Sequence, residues 1–455
     1  PKYRICQDGA AKVRGRSLND ELLAGPDLLN SLVGVLQKFR EKPIAVTADI
    51  KGFFHQIFVD EDDSAVFRFF WFVDETMMTW AEYEMIVHTF GAKPSPCVST
   101  FTLRYHGKKM EGQISEEVLR AILENFYVDD FLDSFDTVVE ARKVRIELTE
   151  VLATGGLTLT KWKSTHPGVL QDEESMEGDL VVFKEVGNIK IFEDHGQVFE
   201  KSEKVLGVSY SFDKDVFSIR INDKYKQSVV TRRQMMGLTS CVFDPLGFFC
   251  PFVLKGKLLF HKATNLGLLW DDALPEDIRI AFDGWRCQLP ELQNIQIPRW
   301  VATPETAGGE KEIHTFCDAS EEGYGCVLYE CTRAPDGTAH TSLIFAKARL
   351  VPRDMLKQAL KDQENHHGSI PRLELVGARC AAEESDFIRS FVPGKYVRAY
   401  WWTDSECVLK WIMDKKTRFK TFIHNRLATI HDVTDAAFWR HVPSNLNPAD
   451  VCSHG

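Results

Sequence analysis

Two adjacent carboxylates, Asp129 and Asp130, sit inside an apolar, β-prone run, Phe126-Tyr127-Val128-Asp129-Asp130-Phe131. Side chains alternate along a strand, so two neighbouring Asp face one point only where the strand turns. The run therefore predicts a β-hairpin with the acidic pair at its tip. Such a pair repels itself and resists desolvation unless a cation neutralises it. A hard divalent ion meets that need, and Mg²⁺ takes few protein ligands and completes its shell with substrate phosphates. An Asp-rich turn without chemistry has the same local sequence, so the pair alone does not decide. A third carboxylate upstream does. Pro43 to Ile50 predicts a core strand with Asp49 near its end, followed by Lys51-Gly52-Phe53-Phe54. Three Asp meeting in one sheet could hold two metals, one activating an attacking oxygen and one stabilising a leaving one.

A second acidic series lies further on. Ile313 to Asp318 predicts a strand ending on its carboxylate, and Gly323 to Tyr329 a second strand. Pro371-Arg372-Leu373-Glu374-Leu375 opens a helix that runs through Ala378, Ala381 and Ala382. Val397 to Trp402 is another strand, with Asp404 at its end, and Asp450 follows Asn447-Pro448-Ala449. A lone Glu374 reads as a surface helix residue and a lone Asp450 as a helix cap. Four carboxylates in this order of strand, helix, strand end and terminal helix argue against that reading. Ser320, Ser405 and Asn447 are weaker candidates.

With 455 residues, two to four domains are expected. Asp27 through Arg40 has apolar residues at helical spacing, and Val66 to Val73 is an aromatic strand. Thr89 to Pro96 is a Gly/Pro loop that presents backbone close to a ligand, leading into a helix from Cys97 to Tyr105. Val138 to Leu152 is an amphipathic helix stopped by Gly155-Gly156, after which Leu157 to Ser164 alternates as a strand. Thr231 to Leu292 is mainly helical, with Asp271-Asp272 as a helix-start or solvated pair, and Pro304 to Glu312 reads as a linker. Pro352 to Gly368 is a polar, helical insertion whose Asn365-His366-His367 reads as a solvated loop, with metal binding as the alternative.

Composition sets the outer limits. The chain is 44% hydrophobic and 27% charged, ordinary for a globular protein, and no apolar run approaches a membrane span. Pro1-Lys2-Tyr3-Arg4 lacks the apolar stretch of a signal peptide, and a first residue other than Met points to a piece of a longer product. Eleven Cys without CxxC spacing argue for reduced thiols and a cytoplasmic protein, with a nuclear or particle-bound setting as alternatives. A net charge of −11 opposes phosphate backbones, so any nucleic acid must be met by local clusters such as Arg104 to Lys109, Lys161-Trp162-Lys163 and Arg232-Arg233.

The order of motifs resembles the palm of a reverse transcriptase. Asp49 matches the first catalytic motif, Phe90-Gly91 with Ser95-Pro96 the second, and Tyr127-Val128-Asp129-Asp130 the third. The resemblance implies Mg²⁺-dependent nucleotidyl transfer to an RNA or DNA template-primer from deoxynucleoside triphosphates. It makes Phe54 a steric gate against the ribose 2′-OH, Lys161 (with Lys163 close behind) a proton donor to pyrophosphate, and Arg4 a triphosphate contact. Lys204-Val205-Leu206-Gly207-Val208 resembles a primer-grip hairpin. The second acidic series resembles ribonuclease H, which implies that Asp318, Glu374, Asp404 and Asp450 converge on metal. Two Mg²⁺ per site are implied, Mn²⁺ being the alternative. Here Asn445 stands where many ribonucleases H carry a mobile His, and His454 follows Asp450. More narrowly, the whole chain resembles BEL/Pao-type LTR retrotransposon polyproteins. No Asp-Thr/Ser-Gly triplet occurs, so protease activity is not assigned. The expectation is an α/β (α+β) protein: fingers and palm over 1–210, a helical thumb and connection over 211–309, and a ribonuclease H-like domain over 310–455. The rival is a non-catalytic nucleic-acid-binding copy, or an active ribonuclease H beside a crippled polymerase.

Overall fold

A computed structural model describes residues 7–73, 79–171, 203–221, 223–226, 228–352, 354–355, 369–414 and 416–455. Arg4, Lys204's side chain and most of the insertion from Pro352 to Gly368, with Asn365-His366-His367, lie outside the described residues. The fold mixes α and β throughout, in two compact units, 1–198 and 199–455.

In the first unit, β1 (Ile44–Ile50) is a central strand, nearly all buried, as its apolar run demands. Two further strands, β2 (Arg68–Phe72) and β3 (Trp80–Glu84), form a separate hairpin. The strands β4 (Phe126–Tyr127), β5 (Asp130–Phe135) and β6 (Leu159–Ser164) join β1 in the antiparallel order β4-β5-β1-β6. Helices Ser95–Lys109, Glu116–Glu124 and Val138–Thr154 pack against this sheet through Leu103, Ile122, Val144 and Leu148, all buried.

One helix differs from its sequence pattern. The apolar spacing from Asp27 predicts a start there, yet the helix spans Leu32–Phe39, with Ser31 as its cap accepting from Gly34 N–H at 3.3 Å. Tertiary bonds win over periodicity. The Asn30 amide donates to the carbonyls of Leu123 and Phe126 at 3.1 and 2.9 Å and accepts from Arg104 at 2.6 Å, which holds the preceding segment extended.

In the second unit, β7 (Glu203–Val205), β8 (Val208–Ser211), β9 (Val216–Ser218) and β10 (Ile297–Pro298) make one small sheet. The larger sheet comprises β11 (Glu310–Ala319), β12 (Gly323–Arg333), β13 (Ala339–Leu350), β14 (Arg398–Thr403) and β15 (Trp439–His441) in the order β13-β12-β11-β14-β15. The first three strands are antiparallel; β14 and β15 run parallel to β11. Helix Ser369–Ser390 covers one face, where Gly377 lets it approach: a Cβ there would lie 2.9 Å from the Asp318 carbonyl.

The segment expected as a helical connection packs on this sheet. Leu254 and Leu258 of helix Cys250–Asn265 are buried against Val327, Ala346, Ala348 and Cys452. The turn before it docks edge-on: Ala346 N–H donates to the Leu246 carbonyl at 2.9 Å, and Gly247 has φ 76°. Of the stretch expected as a linker, Pro304 to Glu312, most of the residues before β11 are exposed, Thr306 is buried, and Glu310 to Glu312 already belong to β11. Just before this stretch Val301 and Ala302 are buried, next to Arg299, whose fully buried guanidinium makes a bidentate pair with Asp215 at 2.6 and 2.8 Å. Buried guanidinium groups need such a partner, and this pair fixes the connection to the small sheet.

Candidate active sites

The first site is built by strand register. Asp49, next to last in β1, lies directly opposite Asp130, first in β5. Directly opposed residues share a face. Val128 and Asp129 form the two-residue turn between β4 and β5, and Val128 takes φ 57°. That left-handed conformation normally selects Gly or Asn, so a β-branched residue there holds the turn under strain. Asp129 is anchored through its backbone, its carbonyl accepting from Ile50 N–H at 2.9 Å.

On the other side of β1, the pairing with β6 slips by a residue between Thr47 and Asp49. Lys161 sits in this bulge with φ 56°, and its ammonium bonds the Asp49 carboxylate. Bulges re-aim side chains, which is why Lys161 rather than Lys163 meets Asp49. Burial, with the charges of Asp129 and Asp49 beside it, pushes the Asp130 carboxyl up to about 6 despite Lys161. The Asp49 hydrogen bond and charge raise Lys161 above the ordinary lysine range.

Phe54 follows in the turn after β1, 9% exposed, its ring centroid 4.9 Å from that of Phe90. The loop carrying Phe90 is tied to the chain's start: Gln7 N–H donates to the Phe90 carbonyl at 3.0 Å. Gly91 has φ 98°, and a Cβ on it would lie 1.7 Å from the Gln7 carbonyl oxygen. Only Gly fits there. Tyr127 is half-buried beside the hairpin tip, paired with Asp130.

The second site gathers the four carboxylates of the larger sheet. Asp318 is 9% exposed near the end of β11, and Asp404 follows the end of the adjacent β14, where Cys317 pairs with Thr403. Glu374 comes from the covering helix, and the Ser405 hydroxyl, itself the cap of helix Glu406–Met413, bonds its carboxylate. Asp450 precedes helix Val451–His454, and its exposed carboxylate lies 3.5 Å from His454 Nδ1. The loop before it is held by Asn447, whose amide donates to the Cys317 carbonyl at 3.0 Å. Burial raises the Asp318 carboxyl, helped by Asp404 and Asp450 and opposed by the Ser453 hydroxyl. Burial likewise raises Glu374, with Asp404 and Asp318 adding to it against Ser405. The pattern is one of anionic groups short of a counter-charge, which suits a divalent cation.

Ligand-atom convergence separates the two sites. Among the described residues, Asp318, Asp450 and His454 offer atoms within 4.8 Å of one another, as do Glu312, His314 and Cys331. The set Asp49, Asp129 and Asp130 is not among these groups; there, Lys161 supplies the positive charge. In the Glu312 group, Trp402 Nε1–H donates to His314 Nδ1 at 3.3 Å. That bond leaves the ring proton on Nε2, facing Glu312 at 3.6 Å. The ring thus offers no lone pair to a metal, and the trio reads as sheet-face packing. The Asp271-Asp272 pair is structural: Arg233 holds Asp271 with two bonds of 2.8 Å, and Asp272 accepts from Leu269 N–H. Sequence reasoning missed Ser453, whose hydroxyl bonds Asp318; its only signal was its place three residues after Asp450.

Residues 231–405 match the family described as the Pao retrotransposon-like RNaseH-like domain. No curated protein matches the chain. Among solved structures, it is similar to the foamy viral protease-reverse transcriptase. The dRH form in complex with ds DNA aligns at TM-score 0.57 and 12% identity, over 98% of this chain and 64% of that one. The complex with RNA/DNA hybrid aligns at 0.52 and 12%, over 93% and 46%. The complex with dsDNA aligns at 0.52 and 12%, over 94% and 72%. At that identity the likeness is one of fold, and the chain spans less than two thirds of the first of these proteins. Residues 231–405 thus carry a Pao retrotransposon-like RNaseH-like domain, set in a fold similar to that of the foamy viral protease-reverse transcriptase, which is consistent with a BEL/Pao-type polyprotein.

Proposed function

We propose that the chain is an RNA-directed DNA polymerase with ribonuclease H activity, acting on RNA and DNA template-primers with deoxynucleoside triphosphates, in a cytoplasmic or particle-bound setting. In this reading 1–210 are fingers and palm, 211–309 thumb and connection, and 310–455 the ribonuclease H-like domain. The observation that carries it is the direct opposition of Asp49 and Asp130 at the tip of the Asp129-Asp130 hairpin. Asp49, Asp129 and Asp130 would hold Mg²⁺ in the first site, and Asp318, Glu374, Asp404 and Asp450 in the second. Bound there, the ions would activate the attacking oxygen and stabilise the leaving one.

The chain's own residues do the rest. Phe54, backed by Phe90, limits space at the sugar; Gly91 brings backbone close to the nucleotide; Tyr127 flanks the hairpin tip. Lys161, on Asp49, stands within reach of a leaving pyrophosphate and can give it a proton. Arg4 remains a proposed triphosphate contact on the resemblance alone. The foamy viral relatives' complexes with dsDNA and RNA/DNA hybrid support a nucleic-acid substrate.

A second reading, ribonuclease H activity alone, is favoured by the convergence of ligand atoms at Asp318 and its absence from the groups around Asp49. Primer extension on a labelled RNA template, in Mg²⁺ and in EDTA, decides between them. Metal-dependent extension with cleavage supports the full reading; cleavage without extension leaves the second; neither, from folded protein, overturns both. Within the full reading, Asp129→Asn abolishes extension and spares cleavage, and Asp404→Asn does the reverse. Loss of both activities from either folded variant would break the assignment of two separate sites.

A further inference from the structure

Resting on the ribonuclease H reading, we infer that Ser453 is a positioning residue for Asp318, held in its working orientation by His454. Ser453 is fully buried, and its Oγ contacts Asp318 Oδ2, the Asp450 carbonyl at 2.9 Å and His454 Nδ1 at 2.8 Å. Three neighbours surround a hydroxyl with a single proton. The carboxylate and the carbonyl accept only, so the third neighbour must supply a proton of its own. His454 Nδ1 lies 3.1 Å from the Asp450 carbonyl and 2.8 Å from Ser453 Oγ. As Nδ1–H it donates to these two oxygens, and the Ser453 proton is then committed to Asp318 Oδ2. Nε2 is left as the basic atom of the ring.

The arrangement joins two strands of the site to its last helix. Ser320, in the turn after β11, donates to the Ser453 carbonyl at 2.8 Å, and Gly323 leaves room for that carbonyl, since a Cβ there would lie 2.8 Å from it. Helix Val451–His454 is therefore fastened to β11 and β12 from both its backbone and its hydroxyl. One oxygen of Asp318 is engaged from the protein side, which fixes the carboxylate's rotation and presents the other oxygen. The Ser405–Glu374 bond does the same for the second buried carboxylate. Partners of this kind, one bond removed from a ligand, are worth about ten- to a hundredfold in metal affinity or activity.

The test uses the full chain and three measurements: Mn²⁺ binding by EPR titration, cleavage of an RNA/DNA hybrid, and the melting temperature. Ser453→Ala should weaken Mn²⁺ binding about tenfold and lower kcat for cleavage by a similar factor, with KM for hybrid within about twofold. Ser453→Thr, which keeps the hydroxyl, should restore Mn²⁺ affinity to near the parent value, which a packing role alone would not predict. His454→Ala should give an intermediate loss, because the Ser453 hydroxyl proton is then shared between Asp318 and the Asp450 carbonyl. Should the parent protein neither bind Mn²⁺ nor cleave, the ribonuclease H reading itself falls. Should the parent do both and folded Ser453→Ala match it, or Ser453→Thr bind no better than Ser453→Ala, only this inference falls.

Discussion

Asp133 shows how a carboxylate three residues from the hairpin tip differs from those on it. It is fully buried on the helix-covered side of the sheet; Ser134 N–H donates to one of its oxygens at 2.8 Å, and the Arg120 guanidinium lies 3.9 Å from the other. Burial dominates, pushing its carboxyl from 3.8 up to about 6 against the pull of Arg120. The sign follows from linkage: a group whose folded value is raised favours the folded state below its unfolded value and loses that contribution as pH rises through about 6. The loss above pH 6 is at most about 3 kcal/mol. Asp133→Asn keeps the shape and removes the charge. It should raise the urea midpoint at pH 7.5, with little change at pH 4. An equal shift at both pH values would show that packing, not ionisation, controls the residue. Phe54, at the same scale, has two roles to separate. Phe54→Ala should admit ribonucleotides into extension products and cost about 3 kcal/mol of stability through its lost contact with Phe90. Unchanged sugar selection in a destabilised variant would leave core packing as its role.

At the scale of the element, strand ends were legible and bulges were not. Apolar runs with a terminal carboxylate marked β1, β11 and β14, because burial on both faces demands continuous apolar sequence whatever the partners. The offset that brings Lys161 to Asp49 depends on how β6 pairs with a strand over a hundred residues away, and alternation in Leu157 to Ser164 is silent on it. Ser453 was hidden for the same reason: its partner is fixed by where helix Val451–His454 docks. Thr231 to Leu292 read as mainly helical, but neither the bounds of helix Cys250–Asn265 nor the sheet it covers is written in that pattern. The bulge gives a test of its own. A non-Gly residue at φ 56° carries about 1 kcal/mol of backbone cost. Lys161→Ala and Lys161→Gly both remove the ammonium and should slow extension by about a hundredfold. Lys161→Gly should nevertheless be the more stable of the two by about 1 kcal/mol, read from denaturant midpoints. Equal stability would show that the left-handed geometry at Lys161 costs nothing.

At the scale of the whole molecule, charge sets the terms of binding. The chain carries −11 overall, and its two candidate sites concentrate seven carboxylates where phosphates would have to lie. Each buried member whose shift is resolved, Asp130, Asp318 and Glu374, is raised by burial and by its acidic neighbours. Without a cation these groups repel a nucleic-acid backbone, and the basic clusters elsewhere must overcome that repulsion in every binding event. Divalent ions should therefore strengthen binding itself and not only turnover. At matched ionic strength, affinity for an RNA/DNA hybrid should be about tenfold higher in millimolar Ca²⁺ than in EDTA, with Ca²⁺ chosen to limit cleavage during the measurement. Removing charge should imitate the ion: Asp129→Asn with Asp404→Asn should bind hybrid more tightly than the parent in EDTA and respond less to Ca²⁺. Anisotropy titrations at two salt concentrations check both statements, since a repulsion between charges must weaken as salt screens it. Binding that is the same in EDTA and Ca²⁺ would mean that the hybrid is held away from both acidic clusters, and the assignment of these carboxylates to its cleavage and extension would have to be given up.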